Sequence, residues 1–341
     1  MNVDYFNDLI ELQSRINEIS TLDFDSESFE SYLSEHQQYL QEKRSALQLL
    51  SSLDKFISIH PQFSDYPKKL IISPLLHDTL TLFSSFELYK LFASYSLRLL
   101  LYQNGFINID TIIERSSLDS HDFGYFINEI KESDIQFFQY SMTKTNNRTI
   151  LREINKDREK HDELRIKGRN HHQIAEIIRN DDIQQFQEIV AQTNVNLNSR
   201  IPYSFYEDCQ FINRKSEMPF LIEYASFFSS IKIFKFLGIN DIKGNPMTLQ
   251  YAIAGGNYEI IHLLESVYKK TINSNSLNFA IYFHRNDIYS YLQDAYEISF
   301  SLSNFYATIE AYNTEIFTNL LNEAYEIIKK SEFKKKFFFF L

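Results

Sequence analysis

Three histidines, His161, His171 and His172, fall within a dozen residues of one another. Imidazole is the commonest zinc ligand, but a tetrahedral site needs a complete donor set. No cysteine or suitably spaced carboxylate accompanies these three, and the adjacent pair would point to different sides of a helix. They read as solvated residues at a helix start. Cys209 is the sole cysteine. A thiol nucleophile would need a histidine and an orienting amide, and "YEDCQFINR" carries no signature for either. The glycine pair Gly255-Gly256 lacks the following Lys-Ser/Thr and the preceding strand that a phosphate-binding loop requires. The acidic pairs Asp181-Asp182 and Glu207-Asp208 read as solvated carboxylates on turns. These residues give no grounds for a catalytic group, a metal or a cofactor, and a non-enzyme is expected. The rival is a helical enzyme whose site lies within residues 1–150, where convergent polar groups with perturbed pKa values would line a deep pocket.

The elements that would position such groups are helical. The 341-residue chain has seven glycines and six prolines, well below the usual ~7% and ~5%. Sheets with tight turns consume those residues, so an all-α chain with Asn, Ser and Asp turns is expected. Thirty-one Phe and 22 Tyr, with no Trp, supply the bulky core. A net charge of −11 argues against nucleic-acid binding, which depends on clustered Lys and Arg. A single cysteine excludes an intramolecular disulfide and suits a reducing compartment. The first residues, "MNVDYFNDLIELQ", lack the basic and apolar stretches of a signal peptide. "LFASYSLRLLLY" is too short to span a bilayer. The reading is a cytoplasmic or nuclear monomer with little claim on a membrane.

Residues 1–150 form an expected helical region, with Phe6, Leu9, Ile10, Leu12, Ile16 and Ile19 at helical steps. Leu33, Leu40 and Leu47 recur at seven, but Lys43 and Arg44 interrupt a coiled-coil seam. Residues 151–170 alternate in charge and read as an exposed connector helix. Residues 171–328 contain internal repeats. Ala225, Ala252 and Ala280 recur at steps of 27 and 28, each followed by a polar turn and an Ile-x-x-Leu-Leu-type row. Flanking units are marked by Ala175, with Asn180 at the turn, and by Asn313, Ile316 and Leu320 downstream. Gly256, Ser229 and His284 take equivalent turn positions. Such units bury their apolar faces only by stacking. Between the first two units lies an insert, about Asn194 to Met218, rich in Tyr and Phe. Residues 329–341, "KKSEFKKKFFFFL", form a Lys/Phe tail that reads first as the translated end of an imperfect gene model, with a membrane-surface element as the alternative.

"MTLQYAIAGGNYEIIHLL" resembles the ankyrin repeat, T-P-L-H-x-A-A-x-x-G-H-x-E-I-V-x-L-L, at Leu249, Ala252, Gly256, Glu259, Ile260, Leu263 and Leu264. Met247 and Thr248 depart from Thr-Pro, Gln250 from His, and Asn257 from His. The chain is similar to a divergent subgroup, expanded in parasitic protists, in which ankyrin repeats follow a helical amino-terminal region. The resemblance implies four to five short helix pairs stacked as a solenoid, without full β-hairpin fingers, since the usual period is ~33. It also implies a non-catalytic protein–protein interaction module. In that family the two residues before the turn face a concave, partner-binding groove. Here they are Phe227 and Phe228, Ala254 and Gly255, and Tyr282 and Phe283. The alternative is that these aromatics pack on neighbouring repeats.

Overall fold

The structure, a computed structural model, describes residues 3–330; the tail from Ser331 onward lies outside the described residues. The fold is all-α. Among the described residues there is no strand, only an isolated antiparallel bridge between Arg200 and Phe220. The chain divides into two compact units, each built from separate stretches of sequence. One comprises residues 1–17, 174–201 and 219–341; the other comprises 18–173 and 202–218.

The first unit is a solenoid of five helix–turn–helix pairs. Its inner helices are Gln173–Arg179, Leu221–Phe227, Pro246–Gly255, Ser274–Tyr282 and Leu302–Ala311. The outer helices are Ile183–Thr193, Ile231–Ile239, Tyr258–Tyr268, Asn286–Tyr296 and Thr314–Lys330. Each inner helix turns into its partner through one left-handed residue: Asp181, Ser229, Gly256, His284 and Tyr312, with φ from 49° to 88°. Only glycine takes that conformation without steric cost, so four of the five turns hold a strained side chain. Stacking supplies the compensation. The residue after the turn starts the outer helix, and in three pairs it also donates to a carbonyl of the preceding inner helix. Ser230 Oγ donates to Ile178 O, Arg285 to Ala254 O and Gly255 O (3.1 and 2.8 Å), and Asn313 Nδ2 to Ile281 O (3.1 Å). Asp181 acts in the opposite direction, accepting from the backbone N–H of Lys232 and Ile233 at the start of the next outer helix. These bonds satisfy helix-end groups that a lone pair would leave to water.

The turn positions correct the register of the first repeat. Asp181, not Asn180, is left-handed, so Ile177 rather than Ala175 is the counterpart of Ala225, Ala252 and Ala280. Asn257 is extended and caps its helix by accepting from Ile260 N–H at 3.1 Å.

The helix Val3–Glu18, assigned by sequence to the amino-terminal region, packs instead within the repeat unit. Leu12 and Ile16 are buried, and Phe6 stacks on Phe317 with ring centroids 6.0 Å apart. Gln13 donates to Tyr312 O at 2.7 Å and accepts from Thr314 N–H at 3.1 Å. One amide side chain thus satisfies both sides of the fifth turn.

In the second unit, short helices surround a core that includes Leu49, Leu53, Leu76, Leu80, Leu97, Leu101, Phe123 and Phe126. The heptad-spaced leucines do not form one seam. The chain breaks after Glu35 and again at Glu42, and Leu47 is exposed. The 151–170 segment is no free connector: its helix His161–Lys167 buries His161, Leu164 and Arg165. Arg165 makes a two-pronged ion pair with Glu129, at 2.7 Å for each nitrogen. Lys167 and Glu163, four residues apart, pair on its exposed face.

Candidate interaction surface and buried polar cluster

The six groove residues come together, but five of them are packed. Phe227, Phe228, Ala254, Gly255 and Phe283 are buried, and Tyr282 is half-buried with its hydroxyl on Glu310. The small pair leaves no hole. The rings of Phe227 and Phe283, two repeats apart, meet edge to face with centroids 5.6 Å apart. Phe228 stands against Phe227 at 5.1 Å and beneath the Arg179 guanidinium at 5.0 Å. Arg179 in turn donates to Tyr224 Oη at 2.8 Å. Gly255 is required because the second and third inner helices meet there at backbone distance. An added Cβ would lie 2.7 Å from Phe227 O and closer still to Ser226 O. The aromatic row is therefore solenoid core, the alternative in which these aromatics pack on neighbouring repeats.

Apolar exposure on the inner helices lies elsewhere, at Met247 of the third pair and, as a cluster, in the fifth pair. Relative to the repeat alanine, the next position holds Ile178, Ser226, Ile253 and Ile281, all buried, and then Ile309, which is 45% exposed. Tyr306 and Tyr312 beside it are 49% and 57% exposed. Position-matched residues are thus buried in the first four pairs and exposed in the fifth.

The second unit holds the polar groups. The insert leaves the repeats at Ile201 and returns at Pro219, where Ile201 N–H donates to Pro219 O at 2.8 Å. Its middle, residues 202–218, belongs to the second unit. There the three flagged histidines all bind it. His161 Nδ1 bonds with Tyr206 Oη (3.0 Å), His171 Nδ1 with Ser204 Oγ (3.0 Å) and His172 Nε2 with Tyr203 O (3.1 Å). The reading of solvated histidines is thus corrected for His161, which is buried and held neutral, its pKa lowered to about 4 by burial and by Arg165.

Glu207 and Asp208, expected in solvent, are both internal. Glu207 accepts from the N–H of Asn170 and of Cys209, whose thiol is buried. Asp208 accepts from Ser94 Oγ (2.8 Å), Tyr95 N–H (2.9 Å), Ser96 N–H (3.3 Å), Ser96 Oγ and Lys68 Nζ (3.3 Å). Lys68 Nζ also reaches Ser96 Oγ at 2.6 Å. A serine beside a lysine could act as nucleophile and base, but here the lysine is ion-paired and the serine proton is directed to a carboxylate. Ser96 is fully buried and Lys68 only 5% exposed. The cluster is a pin that fixes the insert. Asp181 and Asp182 likewise serve helix starts, the latter accepting from Gln185 N–H at 3.0 Å.

Among the described residues no group of three or more His, Cys, Asp and Glu is placed to hold a metal ion. Nor is any helix there long and apolar enough to cross a membrane. A family model described as a domain of unknown function (DUF3447) matches residues 240–320, which span the third and fourth helix pairs and the start of the fifth. No curated protein and no solved structure matches the chain.

Proposed function

We propose that this chain is a non-catalytic protein-interaction scaffold built on divergent ankyrin-like repeats. The observation that carries the reading is the turn grammar. Five successive inner helices each end in one left-handed residue, three of them bonded back by the residue that follows the next turn. That arrangement stacks each pair on its neighbours into a repeat array, the physical profile of a docking platform. With the aromatic row packed, contact with a protein partner falls to Tyr306, Ile309 and Tyr312 of the fifth pair, where aromatic and aliphatic side chains stand in solvent.

Affinity capture with the full chain, compared with a Tyr306→Ala/Ile309→Asp variant, tests the reading. A specific partner is expected to be lost with the variant and to rebind wild type when purified. Retention of the same partner by both proteins refutes the assignment of this surface. Turnover of a substrate by the purified chain would refute the non-catalytic reading.

A further inference from the structure

The second unit contains a half-open cleft of about 340 Å³ between the helix Ile127–Ser133, the helix Ile135–Ser141 and the segment 142–162. Its volume lies at the small end of the range for ligand pockets. One wall is apolar, made by Ile127, Phe138, Met142, Leu151 and Ile154. The other carries Lys131, Arg158, Asn128 and His161.

Three features of the polar wall point the same way. Lys131 and Arg158 are exposed at the cleft; Lys131 Nζ stands 5.9 Å from the centre of the Phe138 ring, and neither cation has a carboxylate partner among the described residues. In a chain of net charge −11, two unneutralised cations on one small cleft are conspicuous. The acid that lines it, Asp162, is already held by Arg165 at 2.6 Å and by Asn128 Nδ2 at 2.9 Å. Finally, His161 is 4% exposed and its Nε2 has no hydrogen-bond partner. A buried polar atom left unpaired costs roughly 1–3 kcal/mol, which a ligand group that pairs with it recovers. A neutral ring that accepts from Tyr206 Oη at Nδ1 carries its proton on Nε2 and can donate to an anion.

We infer that this cleft binds a small amphipathic carboxylic acid, its apolar body against Phe138, Met142 and Leu151 and its carboxylate between Lys131, Arg158 and His161. An apolar wall alone would accept any hydrocarbon; the unpaired cations select the acid. The inference is independent of the scaffold reading, which concerns the repeat unit.

The test is calorimetric titration of the full chain at neutral pH with sodium decanoate, decan-1-ol and sodium acetate. Decanoate is expected to saturate one site per chain, with decan-1-ol at least about tenfold weaker and acetate weaker still. A Lys131→Gln/Arg158→Gln variant, altered only at exposed side chains, should weaken decanoate about tenfold or more and leave decan-1-ol unchanged. In parallel, the His161 ring resonance, assigned by its loss in a His161→Gln variant, should shift on saturation with decanoate. Decanoate that fails to saturate, or that binds no better than decan-1-ol, overturns the inference. So does equal decanoate affinity in the Lys131/Arg158 variant, or a His161 resonance that does not move.

Discussion

Replacing Gly255 with alanine separates local from tertiary effects. Gly255 ends an inner helix and its φ is not in the left-handed region, so helix propensity alone favours alanine by about 1 kcal/mol. The tertiary structure reverses the sign. The new Cβ would fall 2.7 Å from Phe227 O, nearer to Ser226 O and 3.1 Å from Phe227 C. These are backbone atoms of a buried helix and have no rotamer by which to withdraw. Overpacking of this kind costs about 1–3 kcal/mol, and rigid backbone contacts place it at the upper end. The net effect is a loss of about 2 kcal/mol, roughly a thirtyfold shift in the folding equilibrium. Gly238→Ala is the matched control, since that glycine ends an outer helix with nothing within 4 Å of the added methyl. Urea unfolding followed by circular dichroism should show a lower midpoint for Gly255→Ala. For Gly238→Ala the midpoint should be unchanged or raised. Equal shifts for the two variants, or a Gly255→Ala protein as stable as wild type, would refute the close approach of the two inner helices.

Two further outcomes concern the second unit. Asp208→Ala removes the acceptor of five hydrogen bonds and strands the buried Lys68 ammonium, a loss of about 3–5 kcal/mol. Limited proteolysis should then cut within 202–218, and adding Lys68→Met should recover part of the thermal stability; resistance equal to wild type counts against the pin. For His161 the folded pKa is about 4 and the unfolded value 6.5, so the unfolded chain binds the extra proton between them. Stability is therefore complete above pH 6.5 and falls as pH drops toward 4, by at most about 3 kcal/mol from this group. His161→Gln should flatten the slope of unfolding free energy over that window, and an unchanged slope would show that His161 is not the group responsible.

Much of the solenoid was legible because its signals are local. The Ala-to-Ala steps of 27 and 28, the Ile-x-x-Leu-Leu rows and the equivalence of Ser229, Gly256 and His284 depend on residues within a turn or two of each other. The first repeat slipped because its turn, Asn180-Asp181-Asp182, offers three residues that tolerate left-handed or capping roles. Helical spacing in residues 3–18 identified that helix but not its docking site, since amphipathicity names a buried face without naming the partner.

The polar groups were the least legible. His161, His171, His172, Glu207 and Asp208 were each conspicuous, and so was the Tyr- and Phe-rich insert, yet nothing in the neighbouring residues joins them. His161 finds Tyr206 45 residues away, and Asp208 finds Lys68 140 residues away. The sequence by itself determined an all-α chain, the period of its repeats and the places where helices reverse, because 3.6-residue periodicity and left-handed turns are short-range properties. Tertiary structure alone decided which aromatics are core and which unit receives the insert. Those outcomes depend on what is excluded from water and on which distant donor meets which acceptor, quantities that exist only once the chain has packed.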